Sequence, residues 1–356
     1  MCATHYRMPV KRILFLELVR NLLLLGVFVA LRAGAVEPGA RLRVVISTDF
    51  APTNVVMRGA PAEQCSDPDD LQSIVRFLLY ANEFDIEGMI VSSGTFANIA
   101  RKQNLLDVMG LYAQVENQLR QHDPRYPAVA RLREVIFQGR SGTWGKSIEH
   151  NLGVGKDSEA SNAIIRIVDQ PDSRPVWFCI WGDSSNLAQA IWQVQRTRSG
   201  AELQRFLSKL RIHQIAQQDA TIDWMLNSFP ELFIIYSRTT YQGMFGAADP
   251  ISNLAWVNAN IRYNHGPLCA IYPPAGMGCP GVCEGDSPSF LYLVSAIRGV
   301  SNPEDPTQPS WGGQFKRDGL TRHYLDGPGG ASISRWRPQF QSEFKERANW
   351  CLPKAP

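Results

Sequence analysis

No apolar run in the 356 residues is long enough to cross a bilayer with ease; the longest, Asn21–Leu31, is bracketed by Arg20 and Arg32. Stable membrane insertion of the folded protein is therefore not expected. A Gly-rich phosphate-binding loop and a Ser-His-Asp order are also missing, which leaves nucleotide-triphosphate and serine-hydrolase chemistry without support. There is no internal repeat and no low-complexity linker, so one continuous domain is expected. None of the 7 cysteines has further ligands at zinc-site spacing.

Charge of either sign is scarce too. The formal net charge is +3, but residues 1–35 hold five of the 36 basic residues and one of the 33 acidic ones, so the rest carries −1. A chain so close to neutrality has no electrostatic basis for binding nucleic acid. The same 35 residues run from Lys11 and Arg12 through NLLLLGVFVAL to Ala33-Gly34-Ala35, the order of a secretory signal. We expect cleavage after Ala35, a mature domain over 36–356 and an exported protein, periplasmic or secreted; an uncleaved anchor is the alternative. Cys65, Cys179, Cys269, Cys279, Cys283 and Cys351 would then meet an oxidising compartment. Cys279-Pro-Gly-Val-Cys283 has the spacing of a local staple, and Cys179, in an apolar strand, reads as a buried thiol.

With 44% hydrophobic residues the chain can bury a large core. Its apolar runs alternate with helical periodicity. RVVIST, IEGMIVSS, PVWFCIWG, RIHQIA and LFIIYS read as strands, while LQSIVRFLLYA, NIARKQNLLDVMGLY, ASNAIIRIVDQ, SSNLAQAIWQVQ and ATIDWMLNSF read as helices between them. Repeated strand-helix units with continuous apolar strands predict an α/β fold, a mostly parallel sheet covered on both faces. The stretch from Pro124 to Ser158 reads as helical around a polar loop, and the Pro/Gly/Trp-rich tail after Ser301 reads as wrapping the same domain.

In such a sheet ligands bind beyond the carboxyl ends of the strands. Asp49 ends the first strand, and Asp67-Pro68-Asp69-Asp70 opens the next helix. Capping and the helix dipole by themselves favour acids and proline there. Adding Asp49 changes the balance, because like charges packed together are costly unless a cation neutralises them.

The run STDF followed by DPDDLQSIVRFLLYANEFDIEGMIVSS resembles the nucleoside-hydrolase signature, and more closely the nucleoside-hydrolase-like domain of the cellulose-binding Sde182 family. WGDSSNLAQAI, FPELFIIYS, EGDSPSFLYLV, SWGGQF and RWRPQFQ are similar as well, so the resemblance spans Arg41 to Trp350. It implies a Rossmann-like, nucleoside-hydrolase-like sheet flanked by helices. It further implies that Asp49, Asp70 and Asp286, with a backbone carbonyl near Ser185, hold Ca2+ or another divalent cation. Asp69 would be the general base, taking a proton from a metal-bound water that attacks an anomeric carbon. Asn98 matches a sugar-binding asparagine, with a simple helix cap as its other reading.

Departures from the pattern are equally specific. Ser47-Thr48-Asp49 replaces a DTD run, a longer segment separates Phe50 from Asp67, and Gly285 stands where some nucleoside hydrolases have a leaving-group histidine. Glu284 and His265 are the nearest substitutes, and Asp183 is a further carboxylate candidate. Asp219, after Gln217 and Gln218, is a candidate ligand contact at a strand end, and Trp181 a candidate to stack on a sugar. His213 reads as buried and hydrogen-bonded, while Trp311, Trp336 and Trp350 either hold the tail or form a sugar platform. Two functions follow. One is an exported metal-dependent hydrolase of N-ribosidic or related glycosidic bonds, with a small nucleoside or sugar as substrate. The other is a non-catalytic carbohydrate-binding protein that retains the metal site, with a polysaccharide as partner. The sequence carries no signal for an oligomeric state.

Overall fold

The structure is a computed structural model, and it describes residues 41–50, 67–95, 98–272 and 280–353. The expected signal segment, most of the long segment after Phe50, Cys65 and Cys279 lie outside the described residues. β1 (Leu42–Thr48) is buried along its whole length. That is the fate of an unbroken apolar run in a sheet covered on both faces. β2 (Phe84–Val91) and β3 (Ile136–Gln138) lie on one side of it; β4 (Val176–Ile180), β5 (Leu210–Ile215) and β6 (Phe233–Ser237) lie on the other. A hairpin of β7 (Phe315–Arg317) and β8 (His323–Asp326) completes the order β3-β2-β1-β4-β5-β6-β8-β7. Every neighbouring pair is parallel except β7 with β8.

Eight helices of at least eight residues are described: α1 (Pro68–Leu79), α2 (Lys102–Tyr112), α3 (Glu159–Asp169), α4 (Ser185–Thr197), α5 (Gly200–Ser208), α6 (Thr221–Ser228), α7 (Ser287–Ile297) and α8 (Arg337–Asn349). Their apolar stripes close the two sides of the sheet. Ile164 of α3, Ile191 of α4, Phe206 of α5 and Ile222 of α6 share one core with Phe178, Ile212 and Ile234 of the strands. α7 packs on β4 and β5, and α1 packs on both α7 and α8. No helix among the described residues is long and apolar enough to cross a membrane.

The parallel α/β architecture agrees with expectation, and three local differences have physical causes. α2 begins at Lys102 because Asn98 sits at φ +51°, in the left-handed region, and breaks the run. β3 occupies the middle stretch read as helical; three residues carry too little periodicity to announce a strand. The tail supplies β7 and β8 as well as wrapping the domain, since β8 finds its partner in β6, far away in sequence.

The chain steps outward from β1 to β2 and β3, then returns to lay β4 on the opposite side of β1. The order 3-2-1-4-5-6 thus reverses direction between β1 and β4. In open α/β sheets the crevice beyond the strand ends at such a reversal is where ligands bind.

Candidate metal and substrate site

Asp49 directly follows β1, at that crevice. Asp67 is the N-cap of α1, with Asp69 and Asp70 in its first turn, yet the Asp67 side chain makes no cap hydrogen bond. Asp286, the N-cap of α7, makes none either. Simple capping therefore does not account for these acids. Carboxylate oxygens of Asp49, Asp67 and Asp70 lie within 4.8 Å of one another, as do those of Asp69, Asp70 and Asp286. Asp70 belongs to both groups, so the acids form one cluster. Thr48 donates its hydroxyl to Asp70 Oδ1.

Asp49, Asp70 and Asp286 are buried, whereas Asp69 is half-buried. Among the described residues no amide, hydroxyl or guanidinium donor reaches either Asp49 oxygen or Asp286 Oδ2. Burial pushes Asp49 up to about 7; a bond shared with Asp70 offsets part of this, and the charge of Asp69 adds to it. Burial first, then neighbouring negative charge, holds Asp67, Asp70 and Asp286 well above the usual carboxylate range. Buried carboxylates without donors are stable only with a proton or a cation. An all-oxygen set carried partly on loops fits calcium well.

Three glycines let the backbone close on these acids. An ideal Cβ at Gly94 would fall 1.3 Å from Asp49 Oδ2, and one at Gly182 would fall 2.9 Å from Asp49 Oδ1 and 2.6 Å from the Ser93 carbonyl. At Gly285 it would lie 2.6 Å from Asp69 Oδ2 and 3.1 Å from the Tyr241 ring. The absence of a side chain before Asp286 thus has a steric reason. Ser185 opens α4 just beyond Gly182, and both its amide and its hydroxyl donate to Asp183 Oδ1. The other oxygen of Asp183 accepts the Ser93 amide at 2.8 Å, which ties the loop after β4 to the loop after β2.

Other residues singled out in the sequence are placed differently. Trp181 is fully buried, donates its indole N–H to Ser289 at 2.9 Å and packs on Phe77 and Phe290. It is a core residue, not a sugar-stacking one. Glu284 is withdrawn both from substrate contact and from the place of the missing leaving-group histidine: it pairs with buried Arg76 and accepts from Tyr272 at 2.6 Å and Ser287 at 2.7 Å. Asp219 is buried behind the strand ends, accepting from Asn151, Ser184 and Thr221, so direct ligand contact is corrected to support of the loops. His265 bonds the Tyr263 carbonyl and Asn349, anchoring the tail. His213 is buried but, among the described residues, has no hydrogen-bond partner on either nitrogen.

Asn98 accepts the Trp144 amide at 3.0 Å through its side chain and the Gly142 amide at 2.9 Å through its carbonyl. It therefore brings the polar loop of the Pro124–Ser158 stretch to the strand ends, where Gln218 accepts from both Trp144 Nε1 and Thr95. Of the tail tryptophans, Trp311 is buried, Trp350 stacks on His122 and Trp336 lies beside Arg335. Cys179 is buried and its thiol is pushed up to about 12 by burial. Sequence reasoning missed Asp67 as a cluster member, the clamping role of Asp183 and the position of Tyr241. Only Asp67 had a readable signal, the acidic run itself.

A Rossmann-like strand order with carboxylates gathered at its switch point defines an α/β protein of the nucleoside-hydrolase-like class. The chain belongs to the family described as cellulose-binding Sde182, nucleoside hydrolase-like domain, whose model matches residues 62–315. Among solved structures it is similar to a nucleoside hydrolase-related hypothetical protein from Saccharophagus degradans that is associated with carbohydrate metabolism. The two share 31% identity over 89% of this chain and 73% of that one, with a TM-score of 0.74. The type III effector protein XopQ, complexed with adenosine diphosphate ribose, covers 89% of this chain and 96% of its own. At 11% identity and a TM-score of 0.48 it carries no function across. No curated protein matches the chain.

Proposed function

We propose that this protein is an exported, calcium-dependent hydrolase of glycosidic bonds in small sugar compounds, with the mature domain at 36–356. The observation that supports it best is the division of labour among the acids. Among the described residues no amide or hydroxyl donor reaches the buried oxygens of Asp49 or Oδ2 of Asp286, and buried Asp70 joins the two groups of acids, whereas Asp69 alone of the four is half-buried. The first three, with Asp67 and a carbonyl near Ser185, would hold the cation. When bound, it neutralises the cluster and supplies Lewis acidity toward water and sugar hydroxyls.

The protein's own part is positioning and proton transfer. Asp69 accepts the proton of the attacking water, and the acid-rich surroundings favour the positive character of an oxocarbenium-like transition state. Asp183 holds the loops after β2 and β4 together, which keeps Gly94 and Gly182 against Asp49. A second reading, a carbohydrate-binding protein without turnover, draws on the cellulose-binding description of the family.

Reducing-sugar release by purified protein separates them, measured across nucleosides and small glycosides with calcium or chelator. Calcium-dependent release that falls at least about a hundredfold in Asp69→Asn is the expected result. Saccharide binding with no release from any substrate would favour the binder.

A further inference from the structure

The carboxylate cluster has an aromatic rim. Tyr241 lies in a short 3-10 turn (Thr240–Met244) just beyond the carboxyl end of β6. A single missing Cβ, at Gly285, would touch both its ring and the Asp69 carboxylate, so the two border one gap. Burial pushes the Tyr241 phenol up, a bond with Gln242 offsets part of this, and the charges of Asp69, Asp286 and Asp67 push it further. Phe245 stands edge-on to Tyr241, with centroids 6.1 Å apart and planes at 83°, and it is 47% exposed. Neither ring is needed to fill the core.

The turn that carries them is held at both ends. Asp326 accepts from the hydroxyls of Thr239 and Thr240 at 2.7 and 2.8 Å, and Ser237 accepts the Tyr241 amide at 3.0 Å. At the far end the buried Arg337 guanidinium donates to the carbonyls of Gly243, Met244 and Phe245. Gly243 lies so close to the Gly330 backbone that a Cβ would fall 2.1 Å from its carbonyl oxygen. A rigid turn presenting two partly exposed rings beside a polar site meets the requirement for a pre-organised stacking surface.

We propose that the Tyr241 ring, buttressed edge-on by Phe245, forms a platform for a sugar ring at the mouth of the carboxylate site, and that the substrate is a saccharide whose ring offers a C–H face. This rests on the reading of the cluster as a glycoside site and adds its substrate class. Sugar hydroxyls at the ring edge reach the acids, while the axial C–H face covers the aromatic carbon and removes it from water.

The test is calorimetric titration of the mature protein, loaded with calcium, with cellotetraose and with adenosine. Tyr241→Ala should weaken cellotetraose binding about tenfold and Phe245→Ala about threefold, whereas Tyr241→Phe, which keeps the ring, should change it by less than about twofold. Leu320→Ala, at the 99% exposed tip of the β7–β8 hairpin, should leave binding unchanged. Should Tyr241→Ala unfold, Phe245→Ala, at an exposed position, carries the test. Wild-type affinity for cellotetraose retained in both alanine variants overturns the platform and leaves the glycoside site standing. Binding of adenosine alone overturns the saccharide class. Binding of neither overturns the platform together with the site reading beneath it.

Discussion

His213 points both ring nitrogens into the core with no partner among the described residues, its ring edge-on to Tyr292 and Phe315. Burial pushes its pKa down to about 3, with the charge of Asp326 offsetting only part. The unfolded chain takes up this proton below its ordinary value of about 6.5 while the folded one does not, so stability is lost as pH falls from there toward 3. By pH 5 the loss is about 2 kcal/mol. His213→Phe should therefore be more stable than the native chain by a margin that grows with acidity, measured by urea unfolding between pH 7.5 and 4.5. A margin that does not move with pH would mean that the native ring is protonated or solvated. At this scale the sequence shows which residue types can do chemistry and says little of their company. Asp49 and the DPDD run were readable because strand-end and helix-start acids must converge at a parallel sheet. The sealing of Trp181 and Glu284 into the core was not, since it depends on Ser289 and Arg76, contributed from other segments.

Among the elements, the loop Glu284–Asp286 is fixed by α1 and α8 together. Arg76 of α1 pairs with Glu284, reaches Gln341 of α8 at 2.6 Å and lies 3.7 Å from the Phe344 ring. Both charges are fully buried. Glu284→Gln leaves the guanidinium without its counter-charge, and we expect it to cost about 3–5 kcal/mol in denaturant unfolding. Loosening two residues from Asp286, it should also weaken calcium binding; a stable variant with native affinity would detach this pair from the site. A second element-scale prediction concerns the tail. Cys269 and Cys351 Sγ atoms are 3.9 Å apart and buried, 82 residues apart in sequence. Material recovered from an oxidising compartment should show this disulfide in non-reducing peptide maps, and its reduction should lower stability by up to about 4 kcal/mol. Recovery of both thiols free from exported protein would count against it. The long apolar strands were legible because full burial leaves no polar interruptions. β3, β7 and β8 were not, because strands of three or four residues owe their existence to pairing partners rather than to pattern.

For the whole molecule, the switch point between β1 and β4 brings mutually repelling acids into one buried cluster, an arrangement that works against folding unless something neutralises it. If that neutraliser is calcium, the native state alone binds it, and stability rises with its concentration. At a hundredfold excess over Kd the gain is about 2.7 kcal/mol, a shift of roughly 4 °C in Tm for a chain of this size. Asp49→Asn separates cation from proton. The substitution removes one repelling charge, so in chelator the variant should melt at or above the native chain, yet it should lose most of the calcium-dependent rise. The two melting curves therefore exchange order on adding calcium. Were the acids neutralised by protons, neither protein would respond to calcium, and the order seen in chelator would persist unchanged.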